Sequence, residues 1–354
     1  MSASHITFDG FVLDDRVNWF VRGAPNQNFG DFLPAMFCAQ ALARPRVEAD
    51  MFLLVGSVVS RRHVRLLQRR AGLESGAHTA FWGCGARTGN VADLPDPRRS
   101  IFCGVRGPLT RNRLGLATGT PVGDPGLLLP LFHEPTVDQG TNGRAICIPH
   151  VDDRRDDAAL LRASGAQTIV RPLVDATLPA LRRCIDAIAS AGFVLTASLH
   201  GAVVAAAYGR PFAFWDTGRI DIPFKWRDFA ASIDMEPRFA CNLDEAEAQA
   251  GVARISLPPL LPLASACPLA VRSAVLWRAA LHDGEITQRD LDTALSVLVP
   301  LSETQSASVS FDNQRSNLVR VEAGAPWSAT RRSARRQLEK MRTAAKRALR
   351  RPVL

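Results

Sequence analysis

The chain has 354 residues, 47% of them hydrophobic and 22% charged, and a formal net charge of +9. This is the composition of a folded protein too long for one ordinary core, so two domains are expected. No apolar run approaches the ~20 residues of a membrane-spanning helix, and "MSASHITFDGFVLDD" lacks the basic-then-apolar pattern of a secretory signal, so a cytoplasmic protein is expected.

In chain order, residues 19–22 read as a strand that leads through "GAPNQNFGD" into an apolar helix near 32–42. "NQNFGDFLP" sets Asn28, Gly30 and Asp31 on the turn between them. Gly30 permits close backbone approach, and Asp31 is either the helix cap or a carboxylate aimed into a cleft. Segments 52–59, 79–82 and 101–105 read as buried strands. "FWGCGARTG" resembles a dinucleotide fingerprint, but its glycines at 83, 85 and 89 miss the spacing by one and no acidic residue stands about 20 positions on, which excludes a nicotinamide cofactor here. Arg106 ends the third strand, placed for an anion fork, while Arg111 and Arg113 fall on the surface of a helix with Pro108 at its start and Gly115 at its stop. "VGDPGLLLP" closes this half and "LFHEPTVDQGTNGR" reads as a linker.

The pattern then restarts: strand 145–148, helix 156–164, strand 168–170, helix 178–191, strand 193–197, helix 199–208 stopped by Gly209 and Pro211, and strand 212–215. Two such halves predict an α/β protein with two Rossmann-like, doubly wound domains facing a cleft. The expected division is 1–140, 141–267, bracing helices and an irregular segment over 268–330 (helical at 268–282 and 287–299), and a tail over 331–354. In the second domain Ser198 falls at an N-cap and His200 in the first helical turn, where free N–H groups and the helix dipole favour an anion.

His150, Asp152, Asp153, Asp156 and Asp157 crowd in "HVDDRRDD", but Arg154 and Arg155 interrupt them and acidic residues suit a helix start, so no metal is assigned. Seven scattered cysteines without C-x-x-C spacing fit reduced thiols. Residues 331–351 hold ten Lys/Arg and one Glu, so the rest of the chain is near neutral and specific nucleic-acid binding is not indicated. Leu338, Met341, Ala345 and Leu349 form a narrow apolar stripe there, suited to an anionic membrane surface; a solvated charged end is the alternative.

In order, "NFGD", "FLLVGSVVS", "WGCG", "VRGPLTRNRLG", "GDPGLLLP" and "SLHGAVVAAAYGRPFAFW" resemble the polysaccharide pyruvyl transferase family over about residues 18–232, and "FKWRDF" looks like its exopolysaccharide ketal-pyruvate transferase branch. The resemblance implies a fold similar to the two-Rossmann (GT-B-like) glycosyltransferases. It implies transfer of pyruvate from phosphoenolpyruvate, as co-substrate, to two hydroxyls of a sugar, making a cyclic ketal; with the basic tail, a lipid-linked oligosaccharide or polysaccharide acceptor at the inner face of the cytoplasmic membrane is expected. No further cofactor and no metal is implied. The expected catalytic residues are His200, Arg106 and Asp31, with Asn28, Gly30, Gly56, Ser57, Ser198, Gly201 and Lys225 binding substrate. Many members carry arginine two residues before the late histidine; here that residue is Ser198, leaving Lys225, Arg210 and Arg219 as candidate replacements. A nucleotide-sugar glycosyltransferase and a non-catalytic polyanion-binding protein are the alternatives.

Overall fold

The computed structural model describes residues 7–8, 11–12, 15–19, 26–74, 76–250, 255–304 and 339. Strands β1 (Thr7–Phe8) and β2 (Phe11–Val12) form an antiparallel ribbon. Strand β3 (Val17–Asn18) opens a parallel four-stranded sheet that continues, after an excursion, through β6 (Met51–Leu53), β7 (Thr79–Phe81) and β8 (Ser100–Phe102), in that order. The β6 and β7 strands are buried on both faces, as an apolar run in a covered parallel sheet requires. The excursion is β4 (Asn26–Asn28), helix α1 (Phe29–Gln40) and β5 (Leu42–Pro45). Helices α2 (Arg61–Arg70) and α3 (Pro108–Arg113) follow β6 and β8, and a 3-10 helix over Pro125–Leu131 closes the half.

The second sheet has five parallel strands, ordered β10 (Thr168–Ile169), β9 (Ala145–Ile148), β12 (Phe193–Thr196), β13 (Phe212–Trp215) and β14 (Phe239–Ala240). After β9 the chain passes to one side through α4 (Asp157–Ser164), then returns through α5 (Leu178–Ser190) to the other, so the strand order reverses between β9 and β12. Helix α4 starts where Asp156 accepts from the Ala159 N–H at 2.7 Å and stops at left-handed Gly165. Helix α6 (Leu199–Ala207), hydrophobic all round, is buried from Leu199 through Ala206 against the 3-10 helix and α5. Helices α7 (Pro223–Ser232), α8 (Leu243–Ala250), α9 (Leu260–Ser265), α10 (Ser273–His282) and α11 (Gln288–Thr304) complete the described chain. The observed architecture is thus α/β, with two parallel sheets and C-terminal helices, consistent with two Rossmann-like domains.

The halves interleave. Strand β4 pairs antiparallel with β11 (Leu173–Asp175), which seats α1 against α5 and α6. Strand β15 (Leu269–Val271) returns to pair with β5, and Trp82 Nε1 donates to the Leu263 carbonyl at 2.8 Å. One hydrophobic core consequently runs through both sheets.

Several expected elements differ. Residues 268–282 are not one helix: β15 precedes α10, because edge pairing to β5 captures the Leu269–Val271 segment. The strand expected over 52–59 ends at Leu53, and Gly56 turns the chain at a φ of +101°. A strand forms at Val17–Asn18, whereas of the strand expected over 19–22 only Trp19 is described and residues 20–22 lie outside the described residues. The "LFHEPTVDQGTNGR" segment is docked rather than free: His133 Nε2 lies 2.8 Å from Asp186 Oδ1, and the Asp138 N–H donates to Ser190 Oγ at 2.9 Å. The basic segment 331–351 lies outside the described residues apart from Glu339. Among the described residues no helix is long and apolar enough to cross a membrane.

Candidate functional site

Parallel sheets bind ligands outside their carboxyl ends, at the point where strand order reverses. A cavity of about 240 Å³ lies there. Its walls come from Ser57 after β6, Arg87 after β7, His150 after β9, and Ser198, Leu199 and His200 after β12. The end of β4 adds Asn28 and the first turn of α1 adds Asp31, α2 adds His63, and the α7 entry adds Asp221, Ile222 and Lys225. A more open groove of about 490 Å³ along β10, β11 and α5 contains no histidine or lysine.

His200 is buried in the first turn of α6. The first turn of α1 lies so close that a Cβ at Gly30 would overlap the imidazole around Nδ1. Gly201 similarly lets α6 sit on Thr196 and Ile148. Burial, then the charges of Arg106 and Lys225, push the His200 pKa down to about 3, so the imidazole is neutral in the empty cavity. Its Nε2 is 3.8 Å from Asp124 Oδ2, beyond hydrogen-bond range, and both atoms are buried without a hydrogen-bond partner. Burial raises Asp124 to about 6, although the Gly126 N–H and Arg106 favour its charged form.

The opposite wall is a polar chain. Lys225 Nζ lies 2.6 Å from Asp221 Oδ2, and His150 Nε2 lies 3.4 Å from the same oxygen. His150 Nδ1 accepts from the Asp152 N–H at 3.2 Å, which assigns the ring proton of the neutral form to Nε2, facing Asp221. Burial pushes the Asp221 carboxyl up, but the hydrogen bond from His150 and the Lys225 ammonium together hold it below the usual carboxylate range. Burial lowers Lys225 despite Asp221. Ile222, at a φ of 48°, is one of two non-glycine residues in the left-handed region among the described residues, so the backbone is strained at the cavity wall. Arg87 donates from Nη1 to the Ser57 carbonyl at 3.2 Å, and burial lowers its pKa against the pull of Asp221 and Asp31. His63 is lowered by burial and by Arg87, with Nδ1 2.8 Å from Ser60 Oγ.

Of the residues expected from sequence, Asn28, Asp31, Ser57, Ser198, His200 and Lys225 meet at this cavity, and Gly30, Gly56 and Gly201 shape its walls. Asp31 is not the α1 cap: it stands in the first turn, where its carboxylate accepts from Asn28 Nδ2 at 2.8 Å. Ser198 occupies the N-cap position, but its hydroxyl makes no cap bond; Thr196 Oγ1 instead accepts from the Ser198 N–H and donates to the Ser198 carbonyl. Arg106 is not an open anion fork. It is fully buried behind the cavity, donating to Ser57 Oγ at 2.7 Å and lying 3.4 Å from Asp228 Oδ2. Asp228 in turn accepts from the Thr110 N–H and hydroxyl, tying α7 to α3. Arg210 and Arg219 are exposed and do not line the cavity.

Sequence reasoning missed Arg87, His63 and Asp221, and placed His150 only in an acidic cluster. That cluster is dispersed: Arg155 holds Asp153, Asp156 caps α4, and Arg171 holds Asp157. Among the described residues no group of His, Cys, Asp and Glu is arranged to hold a metal ion.

No family model matches the chain, and no solved structure matches it. Over 216 residues it is 27% identical to the succinoglycan biosynthesis protein ExoV of Rhizobium meliloti (strain 1021). The overlap covers 60% of this chain and 63% of ExoV, so the chain spans less than two thirds of that relative's length. The chain therefore bears a distant similarity to a protein of exopolysaccharide biosynthesis.

Proposed function

We propose that the chain is an enzyme of exopolysaccharide synthesis that moves pyruvate from phosphoenolpyruvate onto two hydroxyls of a sugar, forming a cyclic ketal and releasing phosphate. The observation that carries this reading is the small cavity at the strand-order reversal, with His200 at a helix start and the cations Arg87 and Lys225 on the other walls. At about 240 Å³ it falls below the ~300–1,000 Å³ of pockets that enclose drug-sized ligands, which favours a compact anion over a nucleotide-sugar.

Phosphoenolpyruvate presents a carboxylate and a largely dianionic phosphate. The N–H groups opening α6, Arg87 and Lys225 supply donors and positive charge to both. The bound charge reverses the local field, so His200 takes up a proton as the ligand enters. Imidazolium then gives that proton to the methylene carbon while an acceptor hydroxyl forms a bond to the central carbon and loses its proton to Asp31. The carbon–oxygen bond to phosphate breaks, the second hydroxyl attacks the same carbon, and its proton returns to His200. The Asp31 proton leaves with phosphate, which balances the cycle.

Incubation with phosphoenolpyruvate and a glycan acceptor should release phosphate in step with a pyruvyl increment on the glycan by mass spectrometry. His200→Ala should reduce the rate by at least about 100-fold, the scale of general acid–base catalysis. Phosphate release that persists in His200→Ala, or no pyruvyl product with the intact protein, would refute the reading.

A further inference from the structure

Two buried polar atoms face each other beside the cavity without partners. His200 Nε2 and Asp124 Oδ2 are 3.8 Å apart, and neither is engaged by a hydrogen bond. Leaving buried hydrogen-bonding groups unmade costs free energy, so their apposition calls for a reason.

The Asp124 carboxylate is fixed in place. Its Oδ1 accepts from the Gly126 N–H at 2.9 Å and caps the 3-10 helix Pro125–Leu131. That helix packs along α6, closely enough that a Cβ at Gly126 would press on Val203. With Oδ1 held by this cap, Oδ2 is the oxygen that faces the histidine. The imidazole is equally constrained, since Gly30 packs against its Nδ1–Cγ–Cβ edge with no room there for a Cβ. Nδ1 faces the β4–α1 junction, whose Asn28 and Asp31 line the cavity. The remaining charged groups acting on the ring are Arg106 and Lys225.

We propose that Asp124 is the positioning residue of this site: when an anion fills the cavity, Oδ2 closes on His200 Nε2, holds the ring proton there, and leaves Nδ1 to exchange protons with the ligand. Catalytic hydrogen bonds are often long in the empty protein and tighten on loading. The Asp124 carboxylate accepts a hydrogen bond and keeps its own protonation state; the transferred proton leaves and returns at Nδ1. The inference rests on His200 being the acid of the transfer, but the placement of the ring proton is a property of the protein alone.

Long-range nitrogen–proton NMR of uniformly nitrogen-15-labelled protein at about pH 8, with His200→Gln to assign the signal, tests this. In the unloaded protein the neutral His200 should carry its proton on Nε2, and with phosphoenolpyruvate or inorganic phosphate as the loading anion Nδ1 should become protonated as well. Asp124→Asn retains the cap on Gly126 but turns a donor toward Nε2, so the proton should move to Nδ1. Its kcat should fall about 10³- to 10⁴-fold with little change in KM, as when a histidine is held in the wrong tautomer. Asp124→Ser keeps a capping hydroxyl without the reach; it should show mixed tautomers and a comparable kcat loss. An Nδ1–H tautomer in the unsubstituted protein, or an unchanged tautomer in both variants, overturns the inference even if transfer is active. A tautomer switch without any pyruvyl transfer upholds it while refuting the proposed reaction.

Discussion

His200 is held neutral by its surroundings, and that has a consequence for stability. Its pKa is about 3 in the folded chain against the ordinary 6.5, so below about pH 6.5 the unfolded chain binds a proton that the folded chain refuses. Stability is lost as pH falls through that window. Asp124, raised to about 6, acts in the opposite sense between about 6 and 3.8, where folding takes up a proton. In His200→Gln only the Asp124 contribution remains. Urea titrations should therefore show the variant gaining on the parent protein by about 1 kcal/mol per pH unit from about 6.5 to 5; a pH-independent difference would show that burial does not hold the ring neutral. At this scale the sequence was partly informative. His200 could be found because it stands between a strand and a helix with clear stop signals. Arg87 and His150 carried a usable signal, as each closely follows a strand candidate. Asp221 carried none, since its role depends on Lys225 and His150 meeting it in space. Arg106 was misjudged because position at a strand end does not reveal that Asp228 and Ser57 cover the guanidinium.

Helix α7 brings Lys225 to the cavity and sends Asp228 behind it. Gly107 allows this approach, for a Cβ there would overlap the Asp228 backbone. Asp228→Ala would leave the Arg106 guanidinium buried with its counter-charge removed and the Thr110 N–H without its acceptor. Breaking a buried pair from one side costs about 3–5 kcal/mol, and the urea midpoint of this variant should fall accordingly. A loss under about 1 kcal/mol would mean the pair behaves like an exposed one. Elements with strong local signals were legible: α5, α6, β9, β12 and β13 were all anticipated. The β4–β11 and β5–β15 pairs were not, because each joins short segments far apart in the chain and neither has the alternation that marks a half-buried strand.

At the scale of the molecule, those two unforeseen pairings decide how the halves meet. They carry α1 into the second sheet's layer and return the C-terminal segment to the first, so the cavity is walled from both sides by one continuous core. The expectation of two parallel sheets with a cleft between them came from the repeated strand–helix rhythm, and five parallel strands with reversed order now account for why the site forms at β9 and β12. In the proposed complex phosphoenolpyruvate sits in this cavity between the start of α6 and Arg87. Calorimetric titration tests it most directly. One site for phosphoenolpyruvate is expected, weakened roughly 10- to 100-fold by Arg87→Ala through loss of a charged hydrogen bond, with no heat from nucleotide-sugars. Absence of phosphoenolpyruvate binding, or binding that Arg87→Ala leaves unchanged, would contradict it.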